Sequence, residues 1–316
     1  WTTGVKKKKI TLKANKMIEI PIIGRVNSCY NEKWGTPRQG KYGLSSLATI
    51  ELNTNIVCRD KLKDLEEHSH TILIFIFNLN KIKNSQKKNF LYINNTNAYF
   101  VHQNAKVTPP KIDSGEKRGC LATRSPHRPV PIGLTICNIV NIDLFGMKIQ
   151  VGGVDIIDGT PIVEIFPYSL NYSISRNVIH TPNWVKPEKN SGIINLCIYF
   201  SFASFLDILG ISKLKKIETN IQFFDDGDSY RNFNKLRNFI VEILKIDPRS
   251  RYSKKKTKLT LFGIKLFNSF QLIYHHHKMC IKVIRFLHTS NLLVEGLNPR
   301  TINWYNRLKN FISLDM

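Results

Sequence analysis

The sequence predicts a mainly β protein: a barrel-like first domain of short strands, then a small α+β domain. Three observations carry this. Short runs rich in β-branched and aromatic residues recur along the first half, among them "LATIEL" and "HTILIFIF". Tight turn signals such as "DLFG" and "DGTP" separate them and leave little room for helices between strands. One later run is plainly helical: in "SYRNFNKLRNFIVEILKI", Phe233, Leu236, Ile240, Ile243 and Leu244 keep helical spacing.

Residues 1–16 read as a basic lead-in. The first domain spans 17–170. "MIEIPIIGRV" opens it as a strand, with Pro21 marking an edge or bulge. Leu47–Leu52 is the next strand, and "ILIFIF" at Ile72–Phe77 is composed like a buried one. Residues 80–106, rich in Asn and Lys, read as an insertion. "RGCLAT" and "GLTICNIVNI" follow as strands. "MKIQVGGVDI" alternates, with Met147, Ile149 and Val151 on one side and Lys148 and Gln150 on the other. Residues 171–220 read as an insertion or linker. Their apolar run, 193–209, is shorter than the ~20 residues of a membrane-crossing helix and contains Asp207, so no membrane span is expected. The α+β domain covers 221–290. Its helix is stopped at Asp247–Pro248, "RSRYSKKKTK" follows, and β-like runs extend to Leu287. Residues 291–316 form a tail.

The 316 residues carry 47 Lys+Arg against 23 Asp+Glu, a net charge of +24. Such an excess points to a polyanionic partner, most often nucleic acid; lysine drift in an AT-rich coding sequence is the other source. The 6 cysteines include no C-x-x-C pair and none at zinc-ligand spacing from a His pair. They read as free thiols in a reducing compartment, and no metal is expected. His275, His276 and His277 are adjacent and cannot converge on one face; His68 and His70 lack a third ligand. The "KKKK" at Lys6–Lys9 has no apolar segment of signal-peptide form behind it. A cytoplasmic setting is expected, with an organelle left open because a chain beginning at Trp1 can be incomplete.

Phosphate-loop, dinucleotide and nucleophile-elbow signatures are absent from the sequence. "LDILG" lacks the second glycine of a Rossmann-type turn, and no strand/helix alternation surrounds it. What stands out is "GCLATRSPHRPVPIGL", Gly119–Leu134. Pro126, Pro129 and Pro131 each fix a backbone angle and extend the preceding residue. Arg124, His127 and Arg128 are thereby held in set directions. That suits a binding loop; a rigid surface turn is the plainer reading.

Four polar stretches stand at strand ends: "GTPRQG" (Gly35–Gly40), "EEHSH" (Glu66–His70), "TPPKIDSGEKRGCLATRSPHRPVPIGL" (Thr108–Leu134) and "VGGVDIIDGTPIVEIFPY" (Val151–Tyr168). In this order and wording the chain resembles the TrmO, or TsaA-like, family. "DPRSRY" at Asp247–Tyr252 is similar to the "DPRPAY" signature of that family's C-terminal domain. The likeness covers about 18–170 and 235–287. It implies a β-barrel methyltransferase that transfers a methyl group from S-adenosylmethionine to tRNA. The acceptor it implies is the N6 of N6-threonylcarbamoyladenosine beside the anticodon, and the assembly a homodimer. Carried over residue by residue, it implies cofactor contacts from Arg38, Gln39, Gly40, Asn78, Leu79, Arg124, Leu134, Gly152, Gly153, Val154 and Asp155. The family has a histidine after the buried strand; here Asn78 and Leu79 stand there, and asparagine hydrogen-bonds but does not ionise. Asp158 in "DGTP" also fits simple turn chemistry. For tRNA the likeness implies Arg128, Arg249, Arg251, Tyr252 and Lys254, against a solvated basic loop as the alternative. The same barrel methylating another acceptor, and a tRNA-binding module without catalysis, are the competing functions.

Overall fold

The computed structural model describes residues 20–37, 39–40, 45–79, 105–109, 115–169, 171, 182, 184, 197–212, 228–249, 261–277 and 280–288. The expected mainly β architecture is observed. In chain order the strands are β1 (Gly24–Ser28), β2 (Leu47–Leu52), β3 (His70–Ile76), β4 (Lys106–Val107), β5 (Arg118–Gly119), β6 (Ile132–Asp143), β7 (Lys148–Gly152), β8 (Pro161–Pro167), β9 (Cys197–Phe200), β10 (Leu261–Leu266), β11 (Phe270–His277) and β12 (Cys280–His288). Two helices, α1 (Phe202–Ser212) and α2 (Ser229–Lys245), lie between β9 and β10.

Six strands close into a barrel in the order β1-β2-β7-β6-β3-β8. Every neighbouring pair is antiparallel. Alternation explains the closure. Along β6, Gly133, Thr135 and Cys137 point inward while Leu134 and Ile136 point out. Val26, Ala48, Ile50, Leu73, Phe75, Ile149, Val151 and Ile162 complete the interior. Closing the sheet removes the unpaired edges of an open one. "RGCLAT" is less regular than its composition suggests: β5 lasts 2 residues and passes into a 3-10 turn at Cys120–Ala122.

The second sheet has the order β10-β11-β12-β9, with β9 parallel to β12 and the other pairs antiparallel. Helix α2 starts where Asp228 accepts the Arg231 N–H at 2.8 Å. Its buried row is Leu236, Phe239, Ile240, Ile243 and Leu244, which packs with Phe262, Ile264, Leu272, Tyr274, Val283 and Phe286. The segment taken for a linker supplies β9 and α1 to this unit, which therefore begins before residue 221. Within it Ile208 and Ile211 are buried in the same core, while Phe202, Phe205 and Leu206 remain exposed. Asp207 pairs there with Arg285 at 2.9 and 3.3 Å and accepts the Phe286 N–H at 2.9 Å. No helix among the described residues is long and apolar enough to cross a membrane.

The β1–β2 connection joins the two units. Cys29 and Tyr30 leave the barrel and enter the core of the second sheet. Tyr30 bridges Leu266, and Phe267 N–H donates to Cys29 O at 3.0 Å. The Tyr30 and Phe239 rings stand 6.0 Å apart. Truncating Phe239 to alanine leaves a void under both partners, and Phe239→Ala is expected to cost about 3–5 kcal/mol. Urea unfolding should show one transition at a lower midpoint. Two separated transitions would mean the connection does not couple the units.

Candidate functional site at one barrel rim

In an antiparallel barrel, alternate strand ends meet at each rim. One rim therefore gathers the chain leaving β1, β7 and β3 and the chain entering β2, β6 and β8. The stretches "GTPRQG", "RSPHRPVPIG", "GGVDIIDGT" and Asn78–Leu79 all emerge there. "EEHSH" precedes β3 and lies at the opposite rim, so the fold separates it from the other three blocks.

Two of these stretches touch. Gly40 is buried, and a Cβ added to it would lie 1.8 Å from Gly153 O. Gly153 takes φ +68, a left-handed turn that suits glycine. Ser46 locks the contact: its carbonyl accepts the Gly153 N–H at 3.0 Å. Its Oγ accepts the Val154 N–H at 2.9 Å and donates to Val154 O at 3.1 Å. One residue earlier, Ser45 donates from N and from Oγ to Glu242 of α2, both at 2.8 Å. The chain around Gly40 is thus held from both units.

Asp155 stands at the centre. Burial raises its carboxyl above the ordinary value, opposed in turn by a hydrogen bond from Thr135, its own backbone, the Arg124 charge and the Gly40 backbone. Burial and then the Asp155 charge push the Cys137 thiol up to about 12. Oδ1 of Asp155 is enclosed and meets no donor among the described residues. Such an atom costs stability unless something completes its hydrogen bonding.

The proline-bounded loop is built from its own side chains. Cys120 Sγ donates to His127 O at 2.7 Å and Thr123 Oγ1 to Cys120 O at 2.9 Å. Arg128 donates to Thr123 O at 3.3 Å, so it helps hold the loop. Arg124 is exposed beside it. Of the other expected residues, Gly152 ends β7 and Val154 is fully buried. Gln39 is half-buried beside Gly40, and Asn78 is half-buried at the end of β3. Leu79 is exposed, and its carbonyl accepts from Lys33 Nζ at 3.0 Å. Leu134 faces away from Asp155 on the outer side of β6, 46 % exposed. Its neighbour Thr135 is the inward residue, and period-two reading of "PIGLT" would have selected it. Asp158 accepts the Ser28 N–H at 2.8 Å, a long-range bond that ties the end of β1 to the loop before β8 rather than a local turn contact. Arg38, Arg251, Tyr252 and Lys254 lie outside the described residues. Arg249 is turned inward: it meets both carboxylate oxygens of Asp247 at 2.7 and 2.9 Å with 15 % of its side chain exposed. In this structure its guanidinium is engaged in a local ion pair rather than turned to solvent. No group of three metal-ligating side chains occurs among the described residues.

A closed barrel with a loaded rim and a small α/β unit docked on it is the architecture of a β-barrel class unlike the Rossmann folds. Residues 25–173 match the tRNA-methyltransferase O N-terminal domain. A probable S-adenosyl-L-methionine-binding protein of Pyrococcus abyssi is 31% identical over 156 residues, covering 49% of this chain and 71% of that protein. The tRNA (adenine(37)-N6)-methyltransferase of mouse is 36% identical over 169 residues, covering 53% of this chain and 34% of that protein. This chain thus spans about a third of the mouse protein's length. The crystal structure of TrmO from Pseudomonas aeruginosa superposes with a TM-score of 0.56 at 20% identity, covering 85% of this chain and 98% of that one. The chain belongs to the TrmO family.

Two variants test the rim. Gly40→Ala forces a side chain onto Gly153 O and should lower the thermal midpoint, whereas Gly159→Ala meets no atom within 4 Å and carries only the strain of its φ of +73. A Gly40→Ala midpoint equal to wild type would mean the two stretches do not touch. The Asp155 carboxyl titrates above its unfolded value, so the folded protein holds the extra proton between those two values. Stability then falls as pH rises through that window. Above it the charged group is a net cost, and Asp155→Asn should stabilise by about 1 kcal/mol at a pH above that window and much less at a pH below it. Thermal melts at both pH values decide this; destabilisation above the window would mean that a donor reaches Oδ1.

Proposed function

We propose that this chain is an S-adenosylmethionine-dependent tRNA methyltransferase acting on N6 of the adenosine beside the anticodon, with N6-threonylcarbamoyladenosine as acceptor. The observation that carries the reading is the enclosed Asp155 carboxylate beside the Gly40–Gly153 contact. It pairs an enclosed carboxylate oxygen lacking a donor with bare glycine backbone. A ligand bearing a positive charge or hydroxyl groups would complete that environment, and S-adenosylmethionine offers both. The relatives' names support the same donor, an S-adenosyl-L-methionine-binding protein among them, and the same reaction class.

When bound, the cofactor supplies an electrophilic methyl group on a positively charged sulfur. The protein's contribution is placement and desolvation. Asp155 offers Oδ1 to a hydroxyl or ammonium donor. Gln39, Gly40, Gly153 and Val154 form the wall behind it, with Gly152 at its base. Arg124 brings a cation to the mouth, suited to a carboxylate. Arg38 and Asn78 belong to the same reading as further polar contacts, with Leu79 as an apolar one. Arg128 and the stretch holding Arg251, Tyr252 and Lys254 are assigned to tRNA. Self-association as a homodimer belongs to it as well. The outward row Ile136–Ile72–Phe166 across β6, β3 and β8, with Leu134 beside it, is the apolar surface available for that contact.

Arg124→Ala should weaken S-adenosylmethionine binding by ~1.5–3 kcal/mol, the worth of a charge-assisted hydrogen bond. Calorimetry on a correctly folded variant measures it, and an unchanged dissociation constant would remove Arg124 from the site. The acceptor is tested by incubating the chain with S-adenosylmethionine and tRNA with or without N6-threonylcarbamoyladenosine, then separating the nucleosides by mass spectrometry. Methylation confined to the modified tRNA is expected. Methylation of other nucleosides would name another acceptor, and cofactor binding without turnover would leave a binding module.

A further inference from the structure

Helices α1 and α2 cover one face of the second sheet, and the other face carries the alternate residues. In-register neighbours across β11, β12 and β9 form two rows there: His275–Lys282–Tyr199 and His277–Cys280–Cys197. Residues paired in register point to the same side of a sheet. Electrostatics agrees. Burial, then His277 and Lys282, holds the His275 ring below its ordinary value. A hydrogen bond and charge from Cys197, then the Cys280 charge, raise the Tyr199 hydroxyl. Tyr199 is 58% exposed, and Lys282, His277, Cys197 and Cys280 are exposed. From Leu261 to His288 the sequence has no Asp or Glu, and β9 has none. Toward β10 this face is closed, with Leu261 and Ile273 buried, but around β9, β12 and the end of β11 it is an exposed aromatic ring set among cationic or protonatable groups, with no carboxylate on any of its strands.

We propose that the exposed part of this face, around β9, β12 and the end of β11, binds the RNA substrate, with Tyr199 stacking on an unpaired base and Lys282 and His277 contacting adjacent phosphates. The proposal rests on the reading of tRNA as substrate and adds the surface that holds it. Charge selects the partner: a carboxylate-free face on a chain of net charge +24 complements a polyanion. Aromatic stacking flanked by phosphate contacts is how proteins hold unpaired nucleotides, as at a hairpin loop. It also gives the second unit an RNA contact independent of Arg249, which is engaged with Asp247.

The test uses the full chain and a tRNA transcript, with affinity read by fluorescence anisotropy at several salt concentrations. Tyr199→Ala should weaken tRNA about tenfold or more, and Tyr199→Phe should restore it, because stacking needs the ring and not the hydroxyl. Lys282→Gln should lower the slope of log affinity against log salt by ~0.7–0.9, the share of one phosphate. S-adenosylmethionine binding should stay unchanged in all three. Wild-type affinity and slope in both Tyr199→Ala and Lys282→Gln would overturn this surface while leaving tRNA as substrate. A wild-type chain that binds no tRNA would sink the substrate reading itself. Should a variant fail to fold, 4-thiouridine cross-linking of the wild-type complex decides: adducts on β9 or β12 are expected, and adducts confined to other elements overturn the proposal.

Discussion

The molecule depends on a serine pair. Ser46 zips the strand entering β2 to the Gly153–Val154 turn, while Ser45 binds Glu242 on the second unit. Both bonds of Ser45 end on one carboxylate, and charge-assisted hydrogen bonds are the stronger kind. Separating the barrel from α2 would leave Glu242 half-buried without those donors. It would also free the backbone that brings Gly40 against Gly153. The geometry around Asp155 is thus a consequence of how the two units are joined.

That arrangement carries a cost at its centre. Asp155 is held where water is scarce and one oxygen finds no donor. Under the proposed function, a bound donor would supply the hydrogen bond that folding withholds. The Thr135 hydroxyl and Gly40 backbone stabilise the charged form in part. These contacts offset part of the burial cost within the protein itself.

Elements defined by local pattern were legible in the sequence. The alternation of Met147 to Val151 marked β7, and the spacing of Phe233 to Leu244 marked α2. Prolines marked a stiff loop, and Arg124 and Arg128 do sit on one. What was not legible depends on distant partners. β9 pairs in parallel with a strand far along the chain, and α1 packs under that strand; neither fact is present in "CIYFSFASFLDILG" itself. Thr135 was passed over because the motif ended on Leu134, although period-two alternation places the inward side chain one residue later. Arg249 misled for a local reason. Asp247 takes a left-handed φ of +46 before Pro248, and this turns its carboxylate back toward the arginine.

Arg249 also bears on how a net charge of +24 comes to matter. Among the described residues, Asp207 pairs with Arg285 and Asp247 with Arg249, each ion pair cancelling a charge locally, while Asp228 caps α2 and Glu242 accepts from Ser45. The sheet these helices cover carries no carboxylate of its own. Lysine drift could raise the total charge, but it would not account for strands β9 to β12 carrying no Asp or Glu. The cationic field over the open face arises from where the few acids are placed as much as from how many bases there are, and that placement is set by the helix caps and the packing of the second unit.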